Sequence, residues 1–208
     1  MRILVTAGPT REHFDPVRFI SNGSTGQMGY AIAAAAAQRG HEVVLITGPT
    51  QITPPQVDLI RVTSAQQMYH EATTHFDGCD AAIMAAAVTD WRPKVRHASK
   101  PPKTESELTV ELEPTPDICA ALGKVKGDRI VIGFALQDVD AHNKAEEKMR
   151  AKNCNAIVMN RIEAMQSASS TIEIKVEGQP WRESITLDKT QSSRVIVELV
   201  EELTVRNA

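Results

Sequence analysis

The stretch RILVTAGPTREHFDPVRFISNGSTGQMGYAIAAAAAQRG, Arg2 to Gly40, decides the fold. Its start, Ile3 to Val5, is a short β-branched strand, and its end, Gln27 to Arg39, is an alanine-rich helix former stopped by Gly40. Between them Thr6 to Gly29 makes one very long βα turn, where such connections usually take about 2 to 6 residues. A turn of that length in a compact domain is a functional loop. Gly8 and Pro9 punctuate its start and Arg11 and Arg18 supply fixed cations. Gly23, Gly26 and Gly29 let the backbone approach a ligand at the mouth of the helix.

Outward from this stretch the rhythm repeats. His41 to Ile46 and Val57 to Val62 are strands, Ser64 caps a helix to Phe76, and Cys79 to Ala87 is an apolar run of the kind buried on both faces of a parallel sheet. Arg129 to Ala135 and Asn155 to Met159 are further strands, with a charged amphipathic helix, Asp140 to Lys152, between them. The predicted core is a Rossmann-like, doubly wound, mostly parallel sheet of about six strands. Val88 to Thr104, with three prolines and many cations, interrupts it as an exposed segment, followed by an exposed strand at Leu108 to Leu112 and a short helix at Asp117 to Leu122. After Asn160 the pattern alternates by two about Gly178. This predicts an antiparallel hairpin, Thr171 to Leu187, and then a closing helix, Gln191 to Arg206. We therefore expect a single domain over residues 1–208, with a nucleotide-binding core over 1–160 and a hairpin and helix over 161–208.

Composition narrows the function. The 208 residues carry 23 basic and 26 acidic side chains, net −3, so no global field recommends nucleic acid or an anionic membrane. Cys79, Cys119 and Cys154 are odd in number, widely spaced and show no CxxC, so the sequence suggests neither a disulfide framework nor a zinc site. No run approaches a membrane span and no signal peptide is legible, so the expectation is a cytoplasmic protein.

Ligands of an open parallel sheet bind beyond the carboxyl ends of its strands. There the first loop meets the segment Ala85 to Lys103, GFALQD after the fifth strand and the lysines of the following helix. Arg11, Arg18, Lys94, Lys100 and Lys103 form an anion-binding set on an acidic chain, which points to a phosphorylated ligand. Neither GxGxxG nor GxxxxGK[ST] is present, and each glycine reads equally as a turn residue or a phosphate contact. Asp90 suits a ribose hydroxyl or a loop cap, Asn22 an oxyanion or a turn. Lys148 and Lys152, one helical turn apart, read by themselves as solvated.

The motifs VTAGPTRE (Val5 to Glu12), DPVRFISNGSTGQMG (Asp15 to Gly29), AAAVTDWRP (Ala85 to Pro93), TPDI (Thr115 to Ile118), GFA (Gly133 to Ala135) and AEEKMRAKNCNAIVMN (Ala145 to Asn160) occur in order. On these the chain closely resembles the phosphopantothenoylcysteine synthetases of coenzyme A biosynthesis. The resemblance implies a ligase joining 4′-phosphopantothenate to L-cysteine, in which CTP and Mg²⁺ give an acyl-cytidylate that the cysteine amine then attacks. It implies that Asn22 and Arg18 hold the acyl-cytidylate and that Asp90 and Lys100 bind the nucleotide and its triphosphate. Phe134, with backbone around Ala86, Ala87 and Gly133, lines the cytosine site, and Lys148 and Lys152 reach the nucleotide. Gly8, Ser24 and Gly26 belong to the substrate or phosphate loop, whose glycines then serve mobility. It also implies a homodimer, with the hairpin as contact element because an isolated hairpin needs cover, and a separate decarboxylase partner, since no decarboxylase segment precedes Met1.

The chain departs from that family at Gln27, where lysine is common, at Lys100 to Lys103 (KPPK for a lysine-richer run) and at Leu136-Gln137. ATP in place of CTP is the first alternative. An NAD(P) oxidoreductase would require a spaced GxGxxG and a catalytic tyrosine, whereas Tyr30 and Tyr69 fall in predicted helices. A non-catalytic nucleotide-binding module is the third reading.

Overall fold

The computed structural model describes residues 1–103, 107–137, 140–161 and 169–207. In chain order the elements are β1 (Arg2–Ala7), β2 (Arg11–His13), β3 (Phe19–Ser21), α1 (Gln27–Gln38), β4 (Glu42–Thr47), β5 (Asp58–Arg61), α2 (Ala65–Phe76) and β6 (Ala81–Met84). There follow β7 (Trp91–Pro93), β8 (Leu112–Pro114), α3 (Ile118–Val125), β9 (Ile130–Gln137), α4 (Ala141–Ala151), β10 (Ala156–Arg161), β11 (Ser169–Val176), β12 (Ile185–Asp188) and α5 (Lys189–Asn207).

The apolar runs become parallel strands in the order β10-β9-β6-β1-β4-β5, with β11 and β12 added antiparallel beyond β10. Counting only the parallel strands, this is the doubly wound order 3-2-1-4-5-6, and its switch point lies between β1 and β6. Such strands are covered on both faces, which is why they read as continuous apolar runs. One face packs Ile3, Val5, Ile83, Ile132 and Val158 against α1 and α5. The other packs Leu4, Ile46, Ala82 and Val131 against α2, α3 and α4. Ser64 caps α2 in a capping box with Gln67, an arrangement that stabilises a helix by about 1 kcal/mol. No described helix is long and apolar enough to cross a membrane.

Three expectations change. The first turn is not a plain loop: β2 and β3 pair within it as a short antiparallel ribbon. The exposed strand expected at Leu108 to Leu112 forms instead at Leu112–Pro114, because its backbone partner is Trp91–Pro93, and the two make a second ribbon. The C-terminal strands are no isolated hairpin. β11 pairs with β10 from Ala156↔Val176 to Asn160↔Ile172, so β11 and β12 extend the central sheet, with β11 packed against α5 and β12 exposed at the edge.

Candidate active site

The switch point sits where β1 and β6 release their chains, and the two loops are stitched together there. Ala87 N donates to Gly8 O at 3.0 Å, and Thr89 N donates to Thr10 Oγ1 at 2.9 Å. Thr115 Oγ1 donates to Thr89 O at 2.6 Å, and the Asn22 side-chain amide donates to Val88 O at 2.9 Å and Ala87 O at 3.4 Å. The buried carboxylate of Glu12 accepts from Ala65 N at 2.7 Å, tying β2 to the N-terminus of α2. The long turn is thus a folded wall.

Three of its four glycines, Gly8, Gly26 and Gly29, serve close approach, not mobility. Gly8 and Gly26 both have positive φ, and a Cβ on Gly26 would stand 3.0 Å from Gly8 Cα. A Cβ on Gly29 would meet Ala7 Cβ at 2.5 Å. Only then do the first residues of α1 face the space beyond the switch point.

That space is a cavity of about 480 Å³. Of the residues singled out from the sequence, Asn22, Ser24, Gly26, Ala86, Ala87, Asp90, Phe134 and Lys148 line it. A smaller cavity of about 220 Å³ shares Ala86, Asp90, Phe134 and Lys148 and adds Lys152, which pairs with Asp117 at 3.1 Å. Lys148 Nζ donates to Phe134 O at 2.7 Å, and burial, followed by the charge of Lys152, pushes its amine below the ordinary value. It is therefore a held and partly desolvated group, not the solvated one its helical spacing suggests. Met28, which also lines the larger cavity, packs against the core as well.

Four predicted residues lie outside both linings. Gly8 sits behind the wall, against Gly48. Gly133 faces Cys154 and Ile157 across the sheet. Lys100 is exposed beyond β7. Arg18 turns back onto its own loop, where Nε meets Asp15 Oδ2 at 2.6 Å and the guanidinium lies over Phe14. Burial opposes ionisation of Asp15, but the N–H groups of Arg18 and Val17 and the Arg18 guanidinium outweigh it and hold the carboxyl at about 2. Nor do the cations form one set: Arg11 and Lys94 line a separate groove beside the two ribbons, with Arg92 and Arg96.

Two cavity residues are given no role by the motifs, although Asn160 closes the run Ala145 to Asn160. Lys189, at the start of α5, lines the larger cavity and donates from Nζ to Gln27 Oε1. Asn160, at the end of β10, lines it too, and its Oδ1 is buried without a hydrogen-bond partner among the described residues. The only available clue was position, since each stands at the carboxyl end of a strand. Among the described residues no group of three His, Cys, Asp or Glu side chains is placed to hold a metal ion.

The family model described as "DNA/pantothenate metabolism flavoprotein C-terminal domain" matches residues 1–203. The coenzyme A biosynthesis bifunctional protein CoaBC of Bacillus subtilis is 43% identical over 164 residues, 78% of this chain and 40% of that protein. This chain thus spans less than half the length of that curated relative. Among solved structures, the C-terminal domain of a coenzyme A biosynthesis bifunctional protein CoaBC superposes with a TM-score of 0.84 at 38% identity, covering 99% of this chain and 96% of that one. A Cab2 variant in complex with phosphopantothenate-cysteine shares the fold, with a TM-score of 0.80 at 16% identity over 99% of this chain and 87% of its own.

Proposed function

The chain belongs to the DNA/pantothenate metabolism flavoprotein C-terminal domain family, and on that premise we propose that it is the ligase that joins 4′-phosphopantothenate to L-cysteine at the expense of CTP. The observation that carries the proposal is the cavity at the switch point, where Asn22, Asp90, Phe134 and Lys148 meet the N-terminus of α1.

A carboxylate is a poor electrophile, so one of its oxygens first attacks the α-phosphorus of CTP, and pyrophosphate leaves. The acyl-cytidylate formed is then attacked at its carbonyl carbon by the cysteine amine. CMP leaves, the ammonium gives up its proton, and the amide remains. Charge builds on the phosphates in the first step and on the carbonyl oxygen in the second, so the site needs cationic and N–H groups at two places. The first turn of α1 has no acidic residue and no side-chain cap, which leaves its positive end for the phosphates. Asn22 serves the carbonyl: the longer of its two amide bonds, to Ala87 O, is the one exchanged for the developing oxyanion. Asp90 and Phe134 hold the nucleoside, and Lys148 and Lys152 bring charge from α4. Mg²⁺ fits as a complex with the triphosphate, since among the described residues Asp90 is the only carboxylate lining the larger cavity, and it would neutralise charge on the leaving group.

The roles implied for Arg18 and Lys100 require both to come to the cavity from outside its lining. A homodimer would provide one route for Lys100, from the second copy. Protein incubated with phosphopantothenate, Mg²⁺ and either CTP or ATP tests the proposal. Pyrophosphate release without cysteine, followed by amide formation when cysteine is added, is the expected result. More release with ATP than with CTP would replace the nucleotide, and none with either would sink the ligase reading.

A further inference from the structure

The C-terminal segment delivers a cation to the cavity. Lys189 is the first residue of α5, and its backbone is fixed twice. β12, which runs straight into it, pairs with β11 through Ser169↔Asp188. Asp188 then caps the helix: its Oδ1 accepts from Gln191 N at 2.8 Å, and Gln191 Oε1 accepts from Asp188 N at 3.3 Å. From that anchor the flexible stem spans to the start of α1, where the ammonium finds the neutral carbonyl of Gln27, 162 residues away in sequence. Among the described residues no carboxylate pairs with it.

The other lysine on this lining, Lys148, is committed to Phe134 O and partly desolvated. Lys189 is half-buried at the rim, held by a single neutral acceptor, and next to a helix N-terminus whose first turn contains no acid. An ionised phosphate oxygen accepts a charge-assisted hydrogen bond roughly twice as strong as a neutral one, so it outcompetes the Gln27 carbonyl. The four-carbon stem lets the ammonium make that exchange without moving the backbone.

We propose that Lys189 is a phosphate-binding residue of this cavity, whose ammonium passes from Gln27 to the polyphosphate of a bound nucleoside triphosphate. Gln27 parks the lysine when the cavity holds no nucleotide. The site thus takes a phosphate-chain cation from α5, across the domain, and not from α1 itself. This assignment rests on the ligase reading for the identity of the ligand.

Calorimetric titration of wild type, Lys189→Ala, Lys189→Arg and Lys189→Ala/Gln27→Lys with CTP, CMP, ATP, AMP and phosphopantothenate tests it, with thermal melts as a check on folding. Lys189→Ala should bind the triphosphate about tenfold more weakly or worse, as expected for one lost charge-assisted bond, while the monophosphate is unaffected. Lys189→Arg should retain affinity, and the double variant should recover it because the ammonium returns at the neighbouring position. Unchanged triphosphate affinity in Lys189→Ala overturns the proposal, as does equal weakening of triphosphate and monophosphate. Weakening confined to phosphopantothenate also overturns it, since the lysine would then serve the acyl substrate. The two readings fail separately. Wild type that binds a nucleoside triphosphate but releases no pyrophosphate refutes the ligase alone, and active wild type with an indifferent Lys189→Ala refutes the lysine alone. Binding of neither CTP nor ATP refutes both.

Discussion

Gly29→Ala is the most telling perturbation, because helix propensity and packing make opposite demands on one methyl group. Gly29 lies in the first turn of α1, where replacing glycine by alanine gains at most about 1 kcal/mol of intrinsic helix stability. The added Cβ would stand 2.5 Å from Ala7 Cβ, 3.0 Å from Ala7 Cα and 3.1 Å from Thr6 O. Carbon atoms in contact prefer about 3.5 to 4.0 Å, so α1 or the end of β1 must retreat by roughly 1 Å. No rotamer relieves the clash, since every opposing atom is backbone or Cβ, and β1 is paired on both sides, with β4 and β6. Overpacking of this kind costs about 1 to 3 kcal/mol, and an unyielding site belongs at or beyond the upper end. The net loss is about 2 kcal/mol, which for a chain of this size lowers the melting temperature by roughly 4 to 8 °C. Nucleotide affinity should fall with it, because Gln27 and Met28 move with the helix. Thermal melts of Gly29→Ala, Ala7→Gly and the double variant check the argument. The pair should couple favourably by about 1 kcal/mol, since removing Ala7 Cβ removes the shortest contact. A Gly29→Ala protein that melts at or above wild type would refute the reasoning: helix propensity would have outweighed a contact that does not constrain the helix.

Asn22→Asp replaces a donor with an anionic oxygen beside two carbonyl oxygens, so acyl-nucleotide should accumulate while amide formation stalls, and the melting temperature should drop by a few degrees for a lost bond of about 1 kcal/mol. Mass spectrometry of quenched reactions follows both species, and equal loss of the two half-reactions would count against the assigned role. The Asp15 carboxyl is held below its unfolded value, so its contribution to stability is present above about pH 4 and lost as pH falls toward 2. Melting temperature against pH should therefore be flatter in that window for Asp15→Asn, and parallel curves would contradict this. For Lys148, whose amine is pushed down by burial and by Lys152, an arriving anion favours the charged form, so nucleotide binding should take up protons at alkaline pH below the ordinary lysine range. Calorimetry in buffers of different ionisation enthalpy measures the uptake, which should vanish in Lys148→Arg; uptake that persists belongs to another group. Asn160→Leu removes a buried acceptor that has no partner among the described residues, at a site where an unsatisfied polar group costs about 1 to 3 kcal/mol, so the variant should melt no lower than wild type yet bind ligand more weakly. Lower stability with undiminished affinity would show that the protein itself satisfies that amide.

The sheet was legible because its signals are local. Each parallel strand except the edge strand β5 is an apolar run, Ser64 and Asp117 begin their helices with the side-chain caps their chemistry suggests, and six strands in this order place a cavity at the switch point without further information. Most of the cavity lining could be named because the loops after β1, β6 and β9 all end there. What escaped has no local signal. The ribbons consist of strands three residues long, set by backbone pairing between segments that carry no alternation. Arg18 reads as a free cation until Asp15, three residues away, is seen to hold it. Lys189 enters the cavity only because β11 and β12 extend the sheet, so that the helix after them starts beside α1.

The geometry also redistributes the work of the opening loop. A long, glycine-rich turn suggests a lid, but a lid needs a hinge, and Gly8, Gly26 and Gly29 are packed where an added Cβ would be opposed by neighbouring backbone or Cβ atoms. The Thr10–Thr89 bonds and the Asn22 amide bind the same loop to its neighbour across the switch point. Gly23 is the one glycine of the loop with open space around it. On the proposed ligase reading, closure over the acyl-nucleotide would fall to small parts: the tip about Gly23, the Asn22 amide exchanging one carbonyl for another, and the Lys189 stem swinging from Gln27. Such motions keep the first turn of α1 fixed in space, and in the proposed reaction a fixed helix end holds the triphosphate in one place while pyrophosphate leaves.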